Sequence, residues 1–193
     1  MIAKTLTFIS DVLNNEIKMS FGINEDRVIA SSLINPDGTV TDNIENKVII
    51  SVINIEHETT MKSLNNYLRE GNDYGKITPP VHLNLYLLVS ANYDSGNYLE
   101  AHKMLSAVIQ VFQANPYFTN QTHPEMKAPL EKLTFEIFNL PINELSHIWS
   151  GIGAKYVPSI IYKVRMMTVQ EDIIKKEVPG VSGLRGDPKA KNN

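Results

Sequence analysis

The chain has 193 residues, a length that fits one domain or one domain plus a tail. Its 18 Lys and Arg against 21 Asp and Glu exclude a polybasic nucleic-acid binder, and 42% hydrophobic residues exclude wholesale disorder. With no cysteine, a disulfide framework, a thiolate nucleophile, a Cys-ligated zinc and an iron–sulfur cluster are excluded too.

Ile2, Leu6, Ile9, Leu13 and Ile17 recur at helical spacing, and Phe21-Gly22 closes the helix they predict. Thr5, Thr7, Ser10 and Asp11 interrupt this stretch, which argues against a signal peptide. No apolar run approaches the ~20 residues that span a bilayer. Arg27 to Ile34 reads as a short strand, Pro36-Asp37-Gly38 as a turn, and Asn46 to Glu58 as a strand rich in Val and Ile. Residues 62 to 79 are polar, with Gly71, Gly75 and a Pro79-Pro80 pair, and read as a mobile surface loop.

Val81, Leu83, Leu85, Leu87 and Val89 alternate, so 81 to 91 is a strand. Its other face, His82, Asn84, Tyr86 and Leu88, is only partly polar, which predicts a central strand covered on both sides. Tyr98 to Ala114 is a helix that is apolar most of the way round and so expected to be deeply buried. Asn115-Pro116 ends it. Leu133, Phe135 and Ile137 alternate with Lys132, Thr134 and Glu136, giving a strand with one wet face. Pro141 opens a short helix with Leu145, Ile148, Trp149 and Ile152, closed by Gly151 and Gly153. Ile160 to Val169 is the last strand, with Tyr162, Val164 and Met166 on one face and Lys163 and Arg165 on the other.

From Glu171 the pattern is lost, and these residues bury too little apolar surface to fold alone. The expected architecture is an α+β domain over residues 1–170. It has a mainly antiparallel sheet of about four to five strands flanked by helices. Residues 171–193 follow as an extended or flexible C-terminal arm.

The search for chemistry is negative. None of His57, His82, His102, His123 and His147 forms a His-x-His or His-Glu-x-x-His pair. In Glu56-His57-Glu58 the strand alternation turns His57 away from both carboxylates. Gly71 to Lys76 falls short of a phosphate loop: three residues separate its glycines instead of four, and Ile77 follows Lys76 where Ser or Thr is needed. Glu131 and Glu136 have odd spacing and face opposite sides of their strand. No catalytic residue, metal or cofactor is expected. The composition suits a protein that makes contacts rather than bonds.

Six blocks occur in order. They are Asn54-Ile55-Glu56 with Glu58, Pro80 to Tyr86, Phe112-Gln113-Ala114-Asn115-Pro116, Leu133-Thr134-Phe135-Glu136, Trp149 with Gly153, and Lys155-Tyr156-Val157-Pro158-Ser159 running into Tyr162-Lys163-Val164-Arg165. Together they resemble the N-terminal domain of the cap, or tube-terminator, proteins of contractile injection systems, the phage-tail-like particles of the antifeeding-prophage and virulence-cassette type. The resemblance implies a tail-terminator-like fold and a sixfold ring of copies. That ring would sit on the inner tube protein and meet the last layer of sheath protein, with no nucleic acid and no membrane insertion. It also implies assembly in the bacterial cytoplasm into a released or membrane-anchored particle.

Within that reading, Trp149 and Tyr162 are expected inside the domain, with Tyr156 and Pro158 at the helix-to-strand corner. Lys163 and Arg165 either pair across strands with Glu136 or Glu131, or make an ion pair with a neighbouring subunit or the tube. Ile173, Ile174, Val178 and Val181 are the side chains by which the arm could anchor on a neighbour as an added strand. The alternative is an α+β ligand-binding or enzymatic domain whose site is built from distant residues, with His57, Glu58, His82 and Asn84 as the nearest candidates.

Overall fold

The structure, a computed structural model, describes residues 1–58, 67–70, 73–76, 82–126, 130–168 and 176–178. In chain order the elements are α1 (Ile2–Phe21), β1 (Val28–Ala30), β2 (Lys47–His57), β3 (Tyr67–Glu70), β4 (Asp73–Lys76), β5 (Leu83–Asn92), α2 (Tyr98–Ala114), β6 (Tyr117–Thr119), β7 (Leu130–Ile137), α3 (Ile142–Ile152), β8 (Ser159–Thr168) and β9 (Lys176–Val178). The chain divides into two units, one of Met1–Met61 with Val81–Val169, the other of Lys62–Pro80 with Gln170–Asn193.

The first unit is a sheet of six strands in the order β1-β2-β5-β8-β7-β6. Every neighbouring pair is antiparallel except β1 and β2, which run parallel. The α+β class holds, but the sheet is mixed and wider than expected. β6 has three residues, too few to show a period, and the expected strand from Arg27 to Ile34 shrinks to the three of β1.

β5 lies centrally, and both of its faces are covered. Leu85, Leu87, Val89 and Ala91 join one cluster with Phe8, Ile9, Leu13 and Ile17 of α1 and Met104, Val108 and Phe112 of α2. Leu88 joins a second cluster on the opposite face, with Ile49, Ile161 and Trp149 of α3. The aromatic side chains of the first cluster interlock: Phe112 stacks on Phe135 at 4.3 Å, and Phe8 meets Phe118 edge-on at 5.6 Å.

α1 buries Ile9, Leu13 and Ile17 of the predicted stripe, with Ile2 and Leu6 partly buried against the same cluster, and ends at Gly22, whose φ of 62° suits glycine. Its Asn14 side chain is a buried clamp on β1. Nδ2 donates to the Val28 carbonyl at 2.9 Å, while Oδ1 accepts from the Arg27 and Val28 amides at 2.8 Å each. α2 has the expected bounds but not the expected burial. One face, from Ala101 to Phe112, is inside, whereas Leu99 and Tyr98 face solvent. Its polar positions Glu100, His102, Lys103, Ser106 and Gln110 are exposed together and give it a wet side.

α3 also departs from expectation. Gly151 lies inside the helix rather than closing it. Gly153, with φ 76°, closes it alone, its amide donating to the Trp149 and Ser150 carbonyls. Pro158 precedes β8 and gives its carbonyl to the Ala91 amide at 2.9 Å. Ile137, expected on the inner face of β7, is half exposed at the strand's end.

The second unit is a three-stranded sheet in the order β3-β4-β9. β3 and β4 pair antiparallel from Tyr67↔Lys76 to Glu70↔Asp73, so the stretch read as a loop holds two strands. The overlooked sequence signal is the dipeptide Gly71-Asn72, a composition that favours two-residue hairpins. β9 pairs with β4 of the same chain, with Val178 opposite Tyr74. Val178, expected in an arm that crosses to a neighbour, is therefore in a strand of its own chain. Ile173, Ile174 and Val181 lie outside the described residues.

Candidate docking face

On the α3 side of the sheet, the strand register writes two rows across four strands. The first row is Asn54, Tyr86, Lys163 and Glu136; the second is Glu56, Asn84, Arg165 and Thr134. A β-bulge between Val52 and Asn54 makes this possible. Before it, β2 turns Ile49 to this side, and the inserted residue shifts the alternation so that Asn54 and Glu56 follow. Strict alternation across the 46–58 strand cannot show that change of phase.

The rows are bonded diagonally. The Tyr86 hydroxyl donates to Glu56 Oε2 at 2.8 Å, and Arg165 Nη2 to Glu136 Oε2 at 3.0 Å. Asn54 Nδ2 reaches Glu56 Oε1 at 3.3 Å, and Asn84 Nδ2 reaches Glu58 Oε2 at 3.0 Å. Lys163 Nζ stands 5.7 Å from the Tyr86 ring centre, within reach of a cation–π attraction. Burial, with the hydrogen bond and charge of Glu56 added to it, holds the Tyr86 phenol above its usual range.

Beside the rows runs a groove of about 680 Å³ between β2 and α3. Val52, Ile53, Tyr86, Phe138 and Ile148 make its apolar lining, and Glu56, Glu144 and His147 are its ionisable groups. Phe138 meets Tyr86 edge-on at 4.8 Å. Ile137 and Phe138 remain partly exposed nearby in the chain, as do Ile142 and Tyr156 at the two ends of α3.

The structure brings Lys163, Arg165 and Glu136 together, and the ion pair it contains is the cross-strand one within the chain. Trp149 and Tyr162 are buried. Tyr162 loses its solvent contact, which pushes its phenol up to about 12. Tyr156 is exposed, and its ring lies 5.5 Å from that of Trp149.

Of the alternative set, Glu58, His82 and Asn84 meet. The Glu58 amide donates to the His82 carbonyl at 2.9 Å, while His57 is exposed opposite Leu83. His82 Nδ1 and Asn84 Oδ1 are buried with no hydrogen-bond partner among the described residues. Among the described residues, no three His, Asp or Glu side chains are grouped as a metal site would require. None of their helices is long and apolar enough to cross a membrane.

Two solved structures share the fold. The PVC sheath/tube terminator of an extracellular contractile injection system, in its extended state, matches with a TM-score of 0.60 at 14% identity, over 93% of this chain and 63% of that one. The anti-feeding prophage cap, a tube-terminating cap, matches with a TM-score of 0.60 at 13% identity, over 94% of this chain and 61% of that one. This chain therefore spans less than two thirds of the length of either. A search of curated proteins finds no match. The family described as the Pvc16 N-terminal domain matches residues 4–183, and the chain belongs to that family.

Proposed function

We propose that this chain is a structural cap. It ends the inner tube of a contractile injection particle and joins the tube to the last sheath layer. It works as a ring of six copies, through protein–protein contacts and without a reactive centre. Copies assemble in the bacterial cytoplasm, and the particle is then released or held at a membrane. Lys163, Arg165 and Glu136 take part in a subunit, tube or sheath interface.

The observation that carries this reading is the fold shared with two tube terminators over 93% and 94% of the chain. The partly exposed Phe138 and the apolar groove beside the charged sheet face support it, because such a surface suits a partner with an apolar centre and a polar rim. The test is to add the purified chain to growing inner tubes and image them by negative stain. Density at one tube end and an arrest of growth are expected. Tubes that keep growing with bare ends would overturn the reading.

A further inference from the structure

We propose that the groove between β2 and α3 seats residues Val181 to Lys191 of a second copy, linking the copies head to tail. The proposal deepens the ring reading by naming the contact that closes it.

The groove side of the argument has two parts. Its lining is apolar around Val52, Ile53, Phe138 and Ile148, and among the described residues it carries two carboxylates, Glu56 and Glu144, and no Lys or Arg. Glu56 has its oxygens aimed by Tyr86 and Asn54, so that charge is fixed in place. In addition, β1 covers the outer edge of β2 only from Val48 to Ile50. From Val52 to His57, β2 has a strand partner on the β5 side alone among the described residues. A strand edge of this kind offers backbone donors and acceptors to an extended segment.

The segment side matches in charge and form. Residues 181–191 carry Arg185, Lys189 and Lys191 against Asp187, an excess of two positive charges facing two carboxylates. Val181 and Leu184 supply apolar anchors, and Gly183 and Gly186 allow close backbone approach. Fully extended, eleven residues span about 35 Å. One groove and one segment per copy make a heterologous contact, the type that generates rings when its rotation closes.

The cysteine-free sequence gives a clean test on the full chain. Copies carrying His147→Cys in the groove are mixed with copies carrying Leu184→Cys, concentrated, and mildly oxidised. Disulfide-linked dimers are expected severalfold above a control in which Ser106→Cys, on the exposed side of α2, replaces the groove cysteine. The yield should fall when Glu144→Lys is added to the groove copy and recover when Arg185→Glu is added to the other.

A yield no higher than the Ser106→Cys control overturns the proposal. So does a chain with both cysteines that only closes on itself, because the segment then occupies its own groove. The assay contains no tube, so capped tubes without this cross-link would refute the groove contact and leave the cap reading standing.

Discussion

Arg165 Nη2 stands 3.0 Å from Glu136 Oε2, diagonally across β8 and β7, because the register sets Lys163 opposite Glu136 and Thr134 opposite Arg165. Both side chains are about half exposed, at 49% and 48%, so water competes with the pair. Such a pair contributes roughly 0.2–1 kcal/mol. Arg165→Ala should therefore lower the urea-unfolding free energy by less than about 1 kcal/mol. In the tube-end assay the same variant should bind worse, if this face docks. A loss of several kcal/mol in the fold itself would mean that the pair is structural and that its place on a docking face is wrong.

The Asn14 clamp behaves differently because it is buried. Asn14→Ala leaves the Arg27 and Val28 amides and the Val28 carbonyl without their partner. Each orphaned group costs its desolvation, and the whole should come to roughly 2–4 kcal/mol. Urea unfolding measures this directly. A change below about 0.5 kcal/mol would mean that β1 finds other partners.

These two sites differ in how far the sequence shows them. The α1 stripe, the β5 alternation and the bounds of α2 are legible because each runs long enough for its period to show. A cross-strand carboxylate for the cations of β8 is legible in the alternation, but choosing Glu136 over Glu131 takes the register, which a bulge between Leu130 and Lys132 shifts. Asn14 is not legible. It sits on a helix among apolar residues, and only the return of the chain at Arg27 and Val28 gives it partners. The Tyr86–Glu56 bond is hidden too, because it depends on a bulge that sequence alternation does not announce. α2 is less buried than its apolar content suggests, because Tyr98 and Leu99 sit in its first turn and face water.

Gly151 and Gly153 should respond to alanine with opposite signs. At Gly151, inside α3, nothing stands within 4 Å of where a Cβ would go. Alanine there gains helix propensity, up to about 1 kcal/mol. Gly153 has the same open space but a φ of 76°, where a side chain costs about 1–2 kcal/mol. Thermal unfolding of the two variants should move the midpoint up for Gly151→Ala and down for Gly153→Ala. Two shifts of one sign would mean that α3 does not end where it is placed.

Tyr162 makes the fold sensitive to alkali. Burial raises its phenol from 10.0 to about 12 in the folded chain. Below pH 10 both folded and unfolded states keep the proton, and the contribution to stability is fully present. As pH rises towards 12 the unfolded chain releases the proton first, so the unfolded state is favoured and that contribution is lost. Tyr86 and Tyr93 are raised by burial in the same direction and add to the decline. The Tyr162 hydroxyl has no hydrogen-bond partner among the described residues. Tyr162→Phe should therefore be neutral or slightly stabilising near pH 7, because it removes a buried polar group that makes no bond. It should also flatten the fall between pH 10 and 12 without abolishing it. Urea midpoints followed from neutral pH into that window decide the matter: a variant as alkali-sensitive as the parent would show that Tyr162 reaches water in the folded protein.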